Sequence, residues 1–188
     1  MIVLASQSPR RKEILTRAGI PFVVRVSGID EVPGLGESPA AYVQRLAQEK
    51  AAAVECSPEE FVLAADTTVV VDDELLEKPH SEADAIRMLT RLNGRDHLVL
   101  TGICLLHHGR TWSSVESTTV TFATMTDQEI QLYAASGEPF DKAGGYAIQG
   151  LASKFITRVE GCYLNVVGLP MAAVYAMLKR AGYSLALG

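Results

Sequence analysis

The sequence predicts an α/β fold built on a mixed, twisted sheet. Three observations carry this expectation. Short apolar runs alternate with helical repeats over the first half of the chain, the pattern of strands joined by helices. Asp72-Asp73 falls between two apolar segments as a hairpin turn. His97 to Leu106 and Thr111 to Phe122 are long enough to pair as antiparallel strands, joined at His107-His108-Gly109. Parallel-type and hairpin strands in one chain indicate a mixed sheet covered by helices.

The elements follow in order. Ile2, Val3, Leu4 and Ala5 form a short buried strand. Ser8 is an N-cap and Pro9 a first helical residue for a helix carrying Ile14, Leu15 and Ala18 and closed by Gly19. Pro21 to Ser27 is a second strand, and Gly28 to Gly36 a loop. Ser38-Pro39 opens a long helix that runs to about Val54. Phe61 to Ala65 is a buried strand, and Thr68 to Val71 continues extended into the Asp72-Asp73 turn, with Leu75 and Leu76 returning. Ser81 caps a helix ending near Gly94. Thr126 and Glu129 make a capping box, and Gly137 ends that helix. A glycine-rich loop to Gly150, a strand from Phe155 to Val159, a strand and turn over Tyr163 to Pro170, and a helix from Pro170 to Ala181 complete the chain.

Composition narrows the function. The 188 residues fit one domain, or one domain with two lobes, and 48% apolar residues supply a full core. A net charge of −5 argues against broad nucleic-acid binding, yet leaves room for a local basic pocket. Cys56, Cys104 and Cys162 are odd in number and form no CxxC, so they are free thiols of a reducing compartment. There is no leader pattern and no apolar run of membrane-spanning length, so a cytoplasmic protein with no membrane partner is expected.

The residues that bear chemistry fall in a few places. Arg10 and Arg11 occupy the first turn of the first helix, where the helix dipole is already positive. With the hydroxyls of Ser6 and Ser8 and the open backbone N–H groups, they form a place for an anion, above all a phosphate chain. Asp66 intrudes on an apolar strand with only Thr67 and Thr68 as polar company, and needs a metal, a cation or a hydrogen-bond network. Lys78, returning after the hairpin, can bring an ammonium towards it. Of Glu49 and Lys50 on the long helix, either can point into a site, and Asp30 and Glu31 can act as metal ligands or as a solvated turn. Ser136 to Gly150 holds four glycines, two acids, a lysine, a tyrosine and Gln149, the makings of a binding loop. Gly144-Gly145 permits close backbone approach to a ligand, and the Gln149 amide can both donate to and accept from a base edge. The histidines lack metal-ligand spacing, and neither a Walker lysine motif nor a dinucleotide fingerprint is present.

Six segments together resemble the Maf family of nucleoside triphosphate pyrophosphatases: LASQSPRR, QEK, AADTTV around Asp66, EKP, SGEPFDKAGGYAIQG and GCYLNVVGLP. The loop form ending in Gln149 looks like the branch acting on dTTP and UTP, rather than the branch acting on 7-methyl-GTP. It departs from the common GAYGIQG only by small-residue exchanges at Gly145 and Ala147. The resemblance spans nearly the whole chain and implies one domain over 1–188, with an elongated, two-lobed, inosine-triphosphatase-like fold and a central cleft. It implies hydrolysis of a nucleoside triphosphate to the monophosphate and pyrophosphate, a divalent cation (Mg²⁺ or Mn²⁺) and a homodimer. House-cleaning of modified pyrimidine nucleotides and a link to cell-division arrest come with the same resemblance. Asp66 matches the catalytic acidic residue. Arg10, Thr67 and Gln149 match positions of substrate choice, and Ser6, Arg11, Glu31, Lys50 and Lys78 match the remaining polar lining. Asp66 can be the base for water or a metal ligand, with Glu31 as a second ligand; the sequence leaves both roles open. The competing reading from another class is a non-catalytic nucleotide sensor acting on septum formation.

Overall fold

β1 (Ile2–Leu4) is three fully buried residues, and its neighbours fix the parallel part of the sheet. A computed structural model describes residues 1–26 and 28–184. β1 pairs in parallel with β2 (Phe22–Val24) on one side and with β3 (Phe61–Val71) on the other, Val3 lying opposite both Val23 and Val62. Ser27, the last residue of the expected second strand, lies outside the described residues. β3 turns antiparallel into β4 (Glu74–Leu76) through Asp72 and Asp73, both left-handed at φ 51° and 62°, as a two-residue hairpin requires. β5 (Asp96–His107) and β6 (Arg110–Phe122) meet at His108-Gly109, and β7 (Ile156–Glu160) pairs antiparallel with β6. The seven-stranded sheet runs β2-β1-β3-β5-β6-β7, with β4 on β3. The mixed α/β reading therefore holds.

Helices start where hydroxyls cap them. Ser8 caps α1 (Pro9–Arg17), Ser38 caps α2 (Pro39–Ala52) and Ser81 caps α3 (Glu82–Leu92). α4 (Asp127–Ala135) carries the full capping box: the Glu129 N–H donates to Thr126 Oγ1 at 3.3 Å and the Thr126 N–H to Glu129 Oε2 at 2.8 Å. α5 (Tyr163–Val167) and α6 (Met171–Arg180) follow. Among the described residues no helix is long and apolar enough to cross a membrane.

Asp66 lies inside its strand as expected: β3 is continuous over 11 residues, with the carboxylate paired within it. Two expectations are corrected. His107 belongs to β5, its ring stacked on Phe61 with centroids 3.6 Å apart, and is not part of the turn. Tyr163 to Val167 is a helical turn, not a strand. Its β-branched run is overridden by Asn165, whose buried Nδ2 donates to the Val99 carbonyl at 2.9 Å and to Thr118 Oγ1 at 3.0 Å. Gly144 and Gly145 are both buried at φ 69°, and a Cβ on Gly144 would lie 2.7 Å from Val69 Cγ2, so close packing also calls for glycine there.

Chain packing divides into two compact units. One comprises Met1–Asp66, Thr101–Glu116 and Gly168–Gly188, the other Thr67–Leu100 and Ser117–Val167. The first unit packs α2 onto the sheet through small residues: Ala47 and Ala51 meet Val3, Ala5, Val62, Ala64 and Cys104. Gly102 permits the closest approach, since a Cβ there would fall 2.2 Å from the Val43 carbonyl oxygen. The second unit packs α3 against α4 and against the turn at Ala143–Gly145. α3 buries Ala85, Met88, Leu89 and Leu92, one helical stripe. In the same unit His97, Phe122 and Tyr146 pack edge to face, and His97 Nε2 lies 2.7 Å from the Tyr146 hydroxyl.

Two outcomes are expected. In Gly102→Ala the obstacle is backbone, which cannot step aside, so the midpoint of urea unfolding should fall by an amount equivalent to roughly 1–3 kcal/mol. His97 is 3% exposed, and burial lowers its pKa from 6.5 to about 4, against the opposing pull of Asp96. Between these values the unfolded chain binds a proton that the native chain refuses, so stability is complete above pH 6.5 and falls as the pH drops towards 4. Unfolding free energy should decline by roughly 3 kcal/mol over that window, and His97→Gln should flatten the profile.

Candidate active site

Lys50 is the centre of the polar cluster in the first unit. α2 presents Val43, Leu46, Ala47, Lys50 and Ala51 along its buried stripe, so Lys50 occupies a position that its spacing would give to an apolar residue. Its Nζ donates to Asp66 Oδ1 at 2.6 Å and lies 2.6 Å from Glu31 Oε1. Lys50 is 9% and Asp66 7% exposed, so this is an ion pair sunk in the core. The ammonium expected against Asp66 from Lys78 is thus supplied within this unit by Lys50. Glu49, the other member of the helical pair, turns outward to Arg45 at 3.1 Å.

Glu31 arrives on a loop that is strapped to α2. Arg45 holds Glu37 with two bonds of 2.7 Å and donates to the Val32 carbonyl at 3.0 Å, while the Gly34 N–H donates to Glu37 Oε2 at 2.9 Å. The Arg45 bonds first, and then the Gly34 N–H, hold the Glu37 carboxyl down at about 2. The sequence reading missed this strap, whose signal was an arginine one helical turn before Glu49 and eight residues after Glu37.

The start of α1 supplies the cations. Ser8 Oγ accepts from the Arg11 N–H at 3.4 Å, and no acidic residue lies in the first turn. Ser6 Oγ accepts from the Ser8 N–H at 3.3 Å and from Arg11 Nη1 at 3.1 Å. Arg11 Nε donates to the Gly168 carbonyl at 2.8 Å. Arg11 therefore braces the turn with part of its guanidinium, where the sequence suggested only a ligand contact. Burial lowers its pKa, the charge of Asp66 acts to raise it, Arg10 lowers it and Glu31 raises it, so all four share one electrostatic neighbourhood. Arg10, Arg11 and Lys50 share this neighbourhood with Asp66 and Glu31, beside the N-terminus of α1.

The described residues contain no group of three or more histidines, cysteines or acids able to hold a metal ion. Asp66 and Glu31 are two oxygen donors converging on one cation, Lys50. That is an incomplete cage, but it fits a cation that completes its shell with phosphate oxygens and water, as Mg²⁺ does.

The remaining expected residues belong to the second unit. Thr67 follows Asp66 on β3 and is half-buried, and Lys78 is exposed just after β4. Gln149 is exposed at the corner of a turn closed by the Gly150 N–H donating to the Ala147 carbonyl at 3.0 Å. Two further residues bear on this turn. Tyr133 and Glu138 contact it from both sides (Ala147 N–H to Tyr133 Oη at 3.2 Å, Leu151 N–H to Glu138 Oε2 at 3.0 Å). Glu138 was visible in the sequence only as one of the loop's acids, and Tyr133 was not singled out.

A dTTP/UTP pyrophosphatase of Koribacter versatilis (strain Ellin345) is 50% identical over 182 residues, covering 96% of this chain and 94% of that protein. One of Vibrio cholerae serotype O1 is 49% identical, covering 95% and 97%. Among solved structures, the Ham1 protein of Staphylococcus aureus shares the fold with a TM-score of 0.55 at 12% identity, over 96% of this chain and 98% of that one. The protein-family model described as Maf-like protein matches residues 1–181, and the chain belongs to the Maf-like family.

Proposed function

We propose that this protein is a nucleoside triphosphate pyrophosphatase that converts dTTP and UTP to the monophosphate and pyrophosphate, as the names of its relatives state for them. The observation that carries this reading is the buried Asp66 carboxylate, held by Lys50 beside the cationic start of α1. A cytoplasmic homodimer acting on free nucleotides, canonical or modified, belongs to the same proposal.

The chemistry follows from the charges. The triphosphate brings three or four negative charges, and hydrolysis gathers more on the leaving oxygens. Arg10 and the α1 N-terminus hold phosphate oxygens, with Lys78 adding a further charge. Asp66 orients the attacking water and takes its proton as the new P–O bond forms at the α-phosphorus and the bond to the β-phosphate oxygen breaks. Lys50 keeps Asp66 in place and holds Glu31 on the same point. Asp66 and Glu31 would hold the divalent cation, which when bound neutralises phosphate charge and lowers the pKa of water. Gln149 donates to a carbonyl oxygen of thymine or uracil and accepts from N3–H; cytosine offers the opposite pattern at N3 and position 4.

Two outcomes test this. Asp66→Asn removes the charge and keeps the shape, so the protein should fold while pyrophosphate release from UTP falls by ~10²-fold or more; wild-type turnover in a folded variant, with Mg²⁺ present, excludes the role. Gln149→Glu replaces an amide that donates and accepts by a carboxylate that only accepts. The ratio of kcat/KM for UTP over CTP should shrink by about tenfold, the worth of one lost hydrogen bond. An unchanged ratio moves base reading away from Gln149.

A further inference from the structure

The turn that displays Gln149 is held at both ends by one pair of side chains. Tyr133, on α4 and 4% exposed, accepts the Ala147 N–H with its hydroxyl oxygen at 3.2 Å and donates its own proton to Glu138 Oε1 at 2.7 Å. The other carboxylate oxygen, Glu138 Oε2, accepts the Leu151 N–H at 3.0 Å. Ala147 and Leu151 bracket Gln149 two residues to either side, and the Gly150 N–H closes the turn onto the Ala147 carbonyl.

A Cβ on Gly150 would lie 2.1 Å from Glu138 Oε2 and 2.5 Å from its carboxyl carbon, so the carboxylate reaches Leu151 across a space that only glycine leaves empty. Glu138 is itself fixed: its N–H donates to Ser136 Oγ at 3.3 Å and its carbonyl accepts from Lys142 Nζ at 2.7 Å. Burial, and then the bond to Glu138, push the Tyr133 hydroxyl well above its ordinary pKa, so it keeps the proton that it donates.

We infer that Tyr133 and Glu138 are specificity-positioning residues: they hold the Ala147–Leu151 turn rigid so that the Gln149 amide meets the base in one orientation. The inference rests on the reading of Gln149 as the group that recognises thymine and uracil. A hydrogen-bonded site rejects a mismatched partner only while its donors and acceptors cannot re-aim. A loosened turn lets the amide rotate towards cytosine, so discrimination is lost before turnover is.

The test combines two readouts on wild type, Tyr133→Phe, Glu138→Gln, Gln149→Ala and the double variant Tyr133→Phe/Gln149→Ala. Amide hydrogen exchange at Ala147 and Leu151 needs no substrate and should quicken in Tyr133→Phe and in Glu138→Gln. Steady-state kinetics should show KM for UTP rising with kcat little changed, and the UTP over CTP ratio of kcat/KM falling by about tenfold, one lost hydrogen bond's worth. In the Gln149→Ala background, Tyr133→Phe should leave that ratio unmoved. If Gln149→Ala lowers the ratio and neither Tyr133→Phe nor Glu138→Gln does, the positioning role is overturned and base reading by Gln149 stands. If Tyr133→Phe lowers the ratio equally with and without Gln149, the pair acts on something else and the inference is also overturned. If Gln149→Ala leaves the ratio unchanged, the reading of Gln149 fails and takes the positioning role with it, even where exchange at Ala147 and Leu151 has quickened.

Discussion

Lys50 reaches Asp66 from a helical position that the core would otherwise fill with an aliphatic side chain, and the first unit is arranged around that contact. Each ion loses its hydration on burial, a penalty of several kcal/mol that mutual attraction offsets only when geometry is good and other partners are satisfied. Both distances from Nζ are 2.6 Å, one to Asp66 and one to Glu31, so a single ammonium serves two carboxylates. Removing Lys50 would take the direct partner from Asp66 inside a strand that is otherwise Val, Leu, Ala and Thr with one Phe.

Small residues make the contact possible. Ala47 and Ala51 on α2 face Ala5 and Ala64 on the sheet, and Gly102 takes the Val43 carbonyl where no Cβ fits. Larger groups there would lift the helix and carry Lys50 away from β3. The second unit uses another device. Gln149, the proposed base-reading residue, stands on an exposed turn whose flanking backbone N–H groups are tied to a buried tyrosine and a carboxylate. Positioning comes from close packing in one unit and from hydrogen bonds in the other.

Much of this was legible in the sequence. The caps at Ser8, Ser38, Ser81 and Thr126, the Asp72-Asp73 hairpin and the long β5–β6 pair are local signals, and local signals survive folding. Asp66 was legible because a charge in an apolar strand demands a partner. Its partner was not legible: Lys50 lies 16 residues away, and only the packing of α2 brings it to Asp66. The bond from Arg11 to the Gly168 carbonyl spans 157 residues and leaves no trace in spacing. Gly144 looked like a ligand-binding glycine because backbone freedom and close packing demand the same residue. Tyr133 was not singled out, since an aromatic on a helix gives no sign that its hydroxyl has a partner.

The claim on which the account depends is that Lys50 and Asp66 stand in the core as a coupled pair. A double-mutant cycle measured by urea unfolding tests it directly, using Lys50→Met, Asp66→Leu and the double variant. The account expects Lys50→Met to cost roughly 3 kcal/mol or more, Asp66→Leu to cost less because Glu31 still pairs with Lys50, and the double variant to cost less than the sum. Additive costs, with no coupling between the two positions, would contradict it.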